Sequence, residues 1–144
     1  MLYSNPCEYA IRAMTELALR PEDGWVPVTV IAEAADLPSP YLGKILKDLV
    51  RARLLQSTRG PGGGYRLARP ASEITLFDVK LTVDGPSDLE RCAVGLDPCS
   101  DETPCPLHVD FVRVRATIHE YLTSTTLADV ARGALKKEQL LAGE

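Results

Sequence analysis

Between Ser39 and Ala68 the chain carries a pattern that few folds can accommodate. Ser39 can cap a helix, with Pro40 in its first position. Leu42, Ile45, Leu46, Leu49 and Val50 then recur at helical spacing and make one buried face. Gly43, Lys44, Lys47 and Arg51 fall on the other face. Leu54 to Thr58 reads as a strand, Arg59 to Gly64 as a tight turn, and Tyr65 to Ala68 as the returning strand. Upstream, Thr29 opens a short helix through Ala35 with Ile31 and Ala35 turned inward, and Asp36-Leu37-Pro38 makes the turn between the two helices. Two short helices joined by a turn and followed by a hairpin form a winged helix-turn-helix. The turn is glycine-rich but lacks the Lys-Ser/Thr of a nucleotide-binding loop, which argues against a nucleotide site.

Charge points the same way once its distribution is considered. The chain as a whole is acidic, with a formal net charge of −4. From Ser39 to Pro70, however, Lys44, Lys47, Arg51, Arg53, Arg59, Arg66 and Arg69 face a single acid, Asp48. Downstream, Glu73, Asp78, Asp84, Asp88, Glu90, Asp97, Asp101, Glu102 and Asp110 oppose only Lys80 and Arg91. A basic module joined to an acidic one is the footprint of a local polyanion site. With 144 residues, of which 45% are hydrophobic and 25% charged, the chain can bury a core, and disordered or fibrous classes are excluded. Glu33, Asp36, Lys44 and Asp48 interrupt the best apolar run, so no membrane helix is expected. The N-terminus has no basic start followed by an apolar stretch, and a cytoplasmic protein is expected.

The flanks complete the organisation. Asn5-Pro6-Cys7-Glu8 reads as a capped helix start, with Glu8 completing a capping box, and Ala10, Met14, Leu17 and Ala18 form its apolar stripe. Trp25 to Val28 can be extended, and Thr75 to Val83 is a further helix. Gly85 to Pro106 is an irregular loop. A long helix follows, from about Pro106 to Leu122. Along it Leu107, Phe111, Val114, Ile118 and Tyr121 advance by 4, 3, 4 and 3, a seam suited to a dimer contact. The expected fold is therefore mainly α with a small β-hairpin: a winged helix-turn-helix DNA-binding domain over 1–84 and a cysteine-rich loop over 85–106. A dimerisation helix with a short terminal helix covers 107–135, and a flexible tail 136–144.

Three of the four cysteines lie in that loop as Cys92-x6-Cys99-x5-Cys105, with His108 three residues later. Thiolates and imidazole are donors for iron–sulfur clusters or zinc. Structural zinc sites usually contain a close Cys-x2–4-Cys pair, which this loop lacks, so the spacing favours a cluster. A structural disulfide is disfavoured by cytosolic redox poise. Cysteines that sense oxidants directly, without iron, are the other alternative.

With the first helix (Glu8-Tyr9-Ala10-Ile11-Arg12-Ala13-Met14), Pro40-Tyr41-Leu42 with Lys44-Ile45-Leu46, the turn Arg59-Gly60-Pro61-Gly62-Gly63-Gly64-Tyr65-Arg66-Leu67-Ala68 and the three cysteines, nearly the whole chain resembles the IscR/NsrR family of winged-helix transcription regulators. The resemblance implies a homodimer crossed through the long C-terminal helix and bound to a palindromic operator in double-stranded DNA. It also implies that Cys92, Cys99 and Cys105 ligate an iron–sulfur cluster. His108 resembles the fourth ligand of the cluster-assembly regulators, which carry a 2Fe–2S centre. Glu8 matches the acidic position that nitric-oxide sensors take from the partner's first helix to hold a 4Fe–4S centre. The preferred assignment is a 2Fe–2S cluster on Cys92, Cys99, Cys105 and His108, with Glu8 of the partner chain as the alternative. Cys7, beside Glu8, is a remote candidate, and His119 a packing residue. The first cysteine spacing is one residue longer than the family often shows.

On this reading Lys44, Lys47 and Arg51 meet phosphates, Ser39, Tyr41 and Lys44 lie where base edges are reached, and Arg59 enters the minor groove. The expected function is operator binding controlled by a cluster that senses redox state, nitric oxide or cluster status. No nucleophile–base pair or substrate motif accompanies the cysteines, so neither an enzyme nor a small-molecule substrate is expected. An electron carrier would not require the basic helix and wing.

Overall fold

The computed structural model describes residues 2–21, 23–86 and 89–143. The elements run α1 (Asn5–Ala18), α2 (Val28–Ala35), α3 (Ser39–Arg51), β1 (Leu55–Thr58), β2 (Gly64–Leu67), a 3-10 turn (Ala71–Glu73), α4 (Leu76–Asp84), α5 (His108–Ser124) and α6 (Leu127–Leu141). This is the mainly helical winged helix-turn-helix the sequence predicts, with a long helix after it.

The core forms where the apolar faces of α1, α2 and α3 meet. Ala10, Met14 and Leu17 pack with Ile31 and with Leu42, Leu46 and Leu49, and Ile74, Val79 and Leu127 close the cluster. Arg12 of α1 donates to the carbonyl oxygens of Ala35 and Asp36, satisfying the end of α2 and the turn into α3. Asp36 itself takes the left-handed conformation (φ 54°) that stops α2.

The wing is a two-stranded antiparallel hairpin pairing Leu55 with Leu67 and Thr58 with Gly64. The segment before α2 is indeed extended, and Val26 exchanges both backbone hydrogen bonds with Tyr65 at 2.9 and 2.8 Å. This strap explains Gly64: a Cβ there would lie 2.3 Å from the Val26 carbonyl carbon. Its φ of 155° is also one that side-chain-bearing residues rarely adopt.

Three sequence expectations are corrected at helix ends. Ser4, not Asn5, caps α1: its hydroxyl accepts the Cys7 N–H at 3.1 Å, and its carbonyl accepts the Glu8 N–H. Ser4 is held there because its hydroxyl and N–H donate to Asp84. Glu8 therefore completes no capping box. Pro38 occupies the cap position of α3, leaving Ser39 and Pro40 in the first turn with no side-chain cap. The last helix is not short: α6 continues to Leu141, through most of the segment expected to be a tail. It starts on a Thr126–Asp129 capping box, is anchored by buried Leu127 and Ala131, and continues through residues of high helix propensity.

Thr75–Asp78 is a capping box of the same design at the head of α4. The two helix starts lie side by side, with Leu76 N–H donating to Thr125 O and Leu127 N–H to Ile74 O, both at 2.9 Å. This pairing returns α6 to the winged domain, where it packs along α1.

At the other end of α4, Lys80 and Asp84 form an ion pair of 3.1 Å with side chains only 3% and 4% exposed. Burial pushes the Asp84 carboxyl up, but hydrogen bonds from Ser4 and the Lys80 ammonium outweigh it and hold the group below its ordinary value. Its stabilising contribution is therefore complete above the unfolded value near ~4 and is lost as pH falls through the lower folded value. Asp84→Asn should cost about 3 kcal/mol at neutral pH, because it removes this partner from a buried ammonium. In urea denaturation the gap between wild type and variant should narrow as the pH is lowered below ~4. A gap that stays constant with pH would contradict the assignment.

Candidate DNA interface and cysteine centre

The outer face of α3 carries the residues the sequence predicts. Tyr41, Lys44, Lys47 and Arg51 are exposed, while Leu42, Ile45, Leu46 and Leu49 are buried. Ser39 is half-buried in the first turn. The Tyr41 ring is fixed edge-on against Tyr9, 5.8 Å between centroids. Arg51 lies 3.3 Å from Asp48 across an exposed turn, a contact that leaves its charge available. Lys47 and Arg51 share one groove with Arg59, Thr58 and Ser57 of the wing, so helix and hairpin present their cations to the same space. At the root of the wing, the Arg66 guanidinium lies 4.1 Å above the Trp25 ring and donates to Gln56 at 3.0 Å.

The cysteine loop has four donors in two pairs. Cys99 Sγ lies 3.4 Å from His108 Nδ1. His108 is 6% exposed, and its Nε2 lies 2.8 Å from Asp101 Oδ1, which sets the orientation of the ring. Cys92 and Cys105 form the second pair, with the Cys105 side chain near enough to lower the Cys92 thiol. The Cys92 thiol is held below its ordinary value chiefly by the Val94 backbone N–H, with the Leu96 N–H and Cys105 adding to it against burial. Asp97 accepts the Cys92 N–H at 2.9 Å and closes this part of the loop. Among the described residues, no three His, Cys, Asp or Glu side chains gather around one point tightly enough to hold a single ion.

Cys105 and His108, three residues apart, do not project together from one helix. Cys105 precedes α5, accepting the His108 N–H on its carbonyl, and pairs with Cys92. Cys7 is fully buried, and burial first, then the Asp84 charge, pushes its thiol up to about 12. It is a packing residue. His119 packs against Phe77, 5.2 Å between rings. Glu8 is exposed, and its side chain makes no hydrogen bond or ion pair with the described residues.

Sequence reasoning missed Asp101, Asp97 and Arg115. Arg115 Nη2 donates to Cys99 Sγ at 3.1 Å and to the Arg91 carbonyl at 3.2 Å, while its buried Nε–H has no acceptor among the described residues. A buried donor left this way costs about 1–3 kcal/mol. The signal for Arg115 was present in the helical period, since His108, Phe111, Arg115, Ile118 and Leu122 lie on one face of α5.

That face packs on the chain's own body, with His108 and Leu122 buried and Phe111, Arg115 and Ile118 half-buried. The seam expected from the sequence is thus divided. Phe111 and Ile118 line a hollow with Leu2, Lys80, Leu89 and Cys92, whereas Leu107, Val114 and Tyr121 stand 49%, 51% and 43% exposed. Val109 and Val112 are exposed as well.

The chain can now be compared with known proteins. The model of the Rrf2 family, described as iron-dependent transcriptional regulators, matches residues 3–133. The chain belongs to the Rrf2 family. It is 41% identical over 136 residues to an HTH-type transcriptional regulator of Mycobacterium tuberculosis, covering 94% of this chain and 84% of the relative. Among solved structures, CymR, the global cysteine regulator of B. subtilis, superposes with a TM-score of 0.76 at 31% identity, covering 90% of this chain and 95% of that one. IscR of T. potens gives 0.72 at 30%, covering 91% and 86%. This Rrf2 protein is accordingly a DNA-binding transcription regulator of a non-enzymatic family. Among the described residues no helix is long and apolar enough to cross a membrane.

Alkylation with iodoacetamide at pH 8 should separate the four thiols. Mass spectrometry of the native apoprotein should find Cys99 and Cys105 modified and Cys7 untouched until denaturant is added. Early labelling of Cys7 would contradict its buried placement.

Proposed function

We propose that this protein is a dimeric regulator whose binding to a palindromic operator is controlled by an iron–sulfur cluster held on Cys92, Cys99, Cys105 and His108. The observation that carries the DNA half is the groove shared by Lys47, Arg51 and Arg59. On this reading residues 1–84 bind the duplex. Lys44, Lys47 and Arg51 neutralise phosphates, Ser39, Tyr41 and Lys44 lie at the base edges, and Arg59 enters the adjacent minor groove. Operator DNA also implies action in the cytoplasm.

The donor set fits a cluster in its chemistry. Three thiols and one imidazole are present, and Asp101 on His108 Nε2 leaves Nδ1 turned towards Cys99, the carboxylate–histidine arrangement that supports metal ligands. Two separate donor pairs favour a 2Fe–2S centre, whose two irons each take two protein ligands, over a zinc ion that needs four donors around one point. When bound, the cluster supplies a one-electron change and sensitivity to oxidants or nitric oxide. The chain transmits that state through residues 85–106, which lead into α5. Leu107, Val114 and Tyr121, with Phe111 and Ile118 at the margin, form the dimer face. Burying those exposed side chains against a second copy would set the spacing of the two recognition helices. Glu8 of the partner, unpaired here, is the alternative fourth ligand and would go with a 4Fe–4S centre.

A cluster-free reading has one specific support: Cys105 is near enough to Cys92 to lower its thiol, and both are free cysteines. An oxidised form of the related CymR of Staphylococcus aureus has been solved, and a cysteine pair such as Cys92 and Cys105 can be oxidised reversibly to a disulfide.

Iron and sulfide assays on anaerobically purified protein decide between the two. About two irons per chain, lost in Cys92→Ala, would support the cluster; about four would favour Glu8 and 4Fe–4S. A colourless protein that cannot be reconstituted would support thiol sensing. Arg59→Ala should weaken operator binding about 5- to 150-fold in a fluorescence-anisotropy titration, corresponding to the loss of roughly 1–3 kcal/mol. Unchanged affinity would remove the wing from the interface.

A further inference from the structure

Arg115 is the one cation among the described residues that reaches a candidate ligand. It rises from the face of α5 that also carries His108, one half-buried turn above Phe111, whose ring lies 5.1 Å below its guanidinium. One nitrogen, Nη2, reaches two points of the loop: Cys99 Sγ and the Arg91 carbonyl. Arg91 in turn places its side chain 3.5 Å from Asp97, the carboxylate that holds the Cys92 N–H. A single side chain on the candidate dimer helix is therefore connected to both donor pairs. Its Nε–H is buried and has no acceptor among the described residues. Sulfur acceptors are what this corner of the loop offers, and a bound cluster brings more of them.

We propose that Arg115 is a positioning residue for the cluster: it holds Cys99 against α5, donates to the sulfur of that centre and raises its midpoint potential. The inference rests on the cluster reading above. Hydrogen bonds to ligand sulfur and nearby positive charge both favour the state with one more electron, and both are levers by which a protein sets the potential of such a centre. Arginine suits the position because its fork stays charged and can serve the Arg91 carbonyl and a sulfur together. The same contact gives α5 a direct connection to the centre, so a change in electron density at Cys99 is felt by the helix expected at the dimer face.

The test uses full-length protein, purified anaerobically, as wild type, Arg115→Gln and Arg115→Lys. Iron and sulfide content is measured first, followed by dye-mediated potentiometry with dithionite as reductant, read in the visible spectrum. Arg115→Gln should retain the iron and sulfide of the wild type yet show a shift to lower potential, and Arg115→Lys should recover part of that shift by keeping the charge. Arg115→Gln with a full cluster and the wild-type potential would overturn the inference and leave the cluster reading standing. A wild type that binds no iron would overturn both. If Arg115→Gln loses its iron, Arg115→Lys decides. A loaded Lys variant with a potential near or slightly below the wild type supports the role of the charge, and one as iron-poor as the Gln variant overturns it.

Discussion

The buried pair Lys80–Asp84 joins the part of the chain that carries the helix-turn-helix to the part that carries the cysteines. Asp84 closes α4 just before the loop begins, and it holds Ser4, which starts α1. Lys80 reaches it from one turn earlier and borders the hollow that contains Cys92, Phe111 and Ile118. Two charges at this depth persist only because each is satisfied, since an uncompensated buried charge is costly. The entry of α1, the end of α4 and the start of the cysteine loop are consequently fixed relative to one another.

From that junction the molecule extends in two directions. On one side, α1 supports α2 and α3 through a shared apolar core, and Arg12 stitches the turn between them. The Val26 strap crosses the wing at Gly64, where no side chain would fit, so the hairpin is set beside the recognition helix and Arg59 joins Lys47 and Arg51. On the other side, α5 buries His108 and Leu122 and half-buries Phe111 and Ile118 against its own chain. Val109, Val112, Val114 and Tyr121 stand open, the surface that a second copy would cover on the proposed reading. The candidate DNA-contacting residues and the candidate sensing loop thus meet at the Lys80–Asp84–Ser4 junction.

Much of the fold was legible because it follows from local rules. The α3 stripe, the turn glycines and the Thr75 start of α4 each depend on residues within a few positions of one another. The helix starts at Asn5 and Ser39 were misread for a non-local reason in the first case: Ser4 becomes the cap of α1 because Asp84, distant in sequence, binds it. The α5 seam and the face that packs on the chain's own body differ by a small rotation. The heptad count finds the middle of the apolar stripe, but His108, Arg115 and Leu122 pack along one edge of it, and apolar periodicity does not register a buried His or Arg.

The sequence by itself determined the class of molecule: a basic helix and glycine-rich wing, an acidic remainder, and three thiols with an imidazole in one loop. These are properties of composition and spacing, which survive without coordinates. Only the tertiary structure decided which donors stand together. It paired Cys99 with His108 and Cys92 with Cys105, set Asp101 behind the imidazole and brought Arg115 onto Cys99. An irregular loop has no period from which such partners can be read; its path is set by where α4 ends and α5 begins, and those two points are held by packing between residues far apart in the chain.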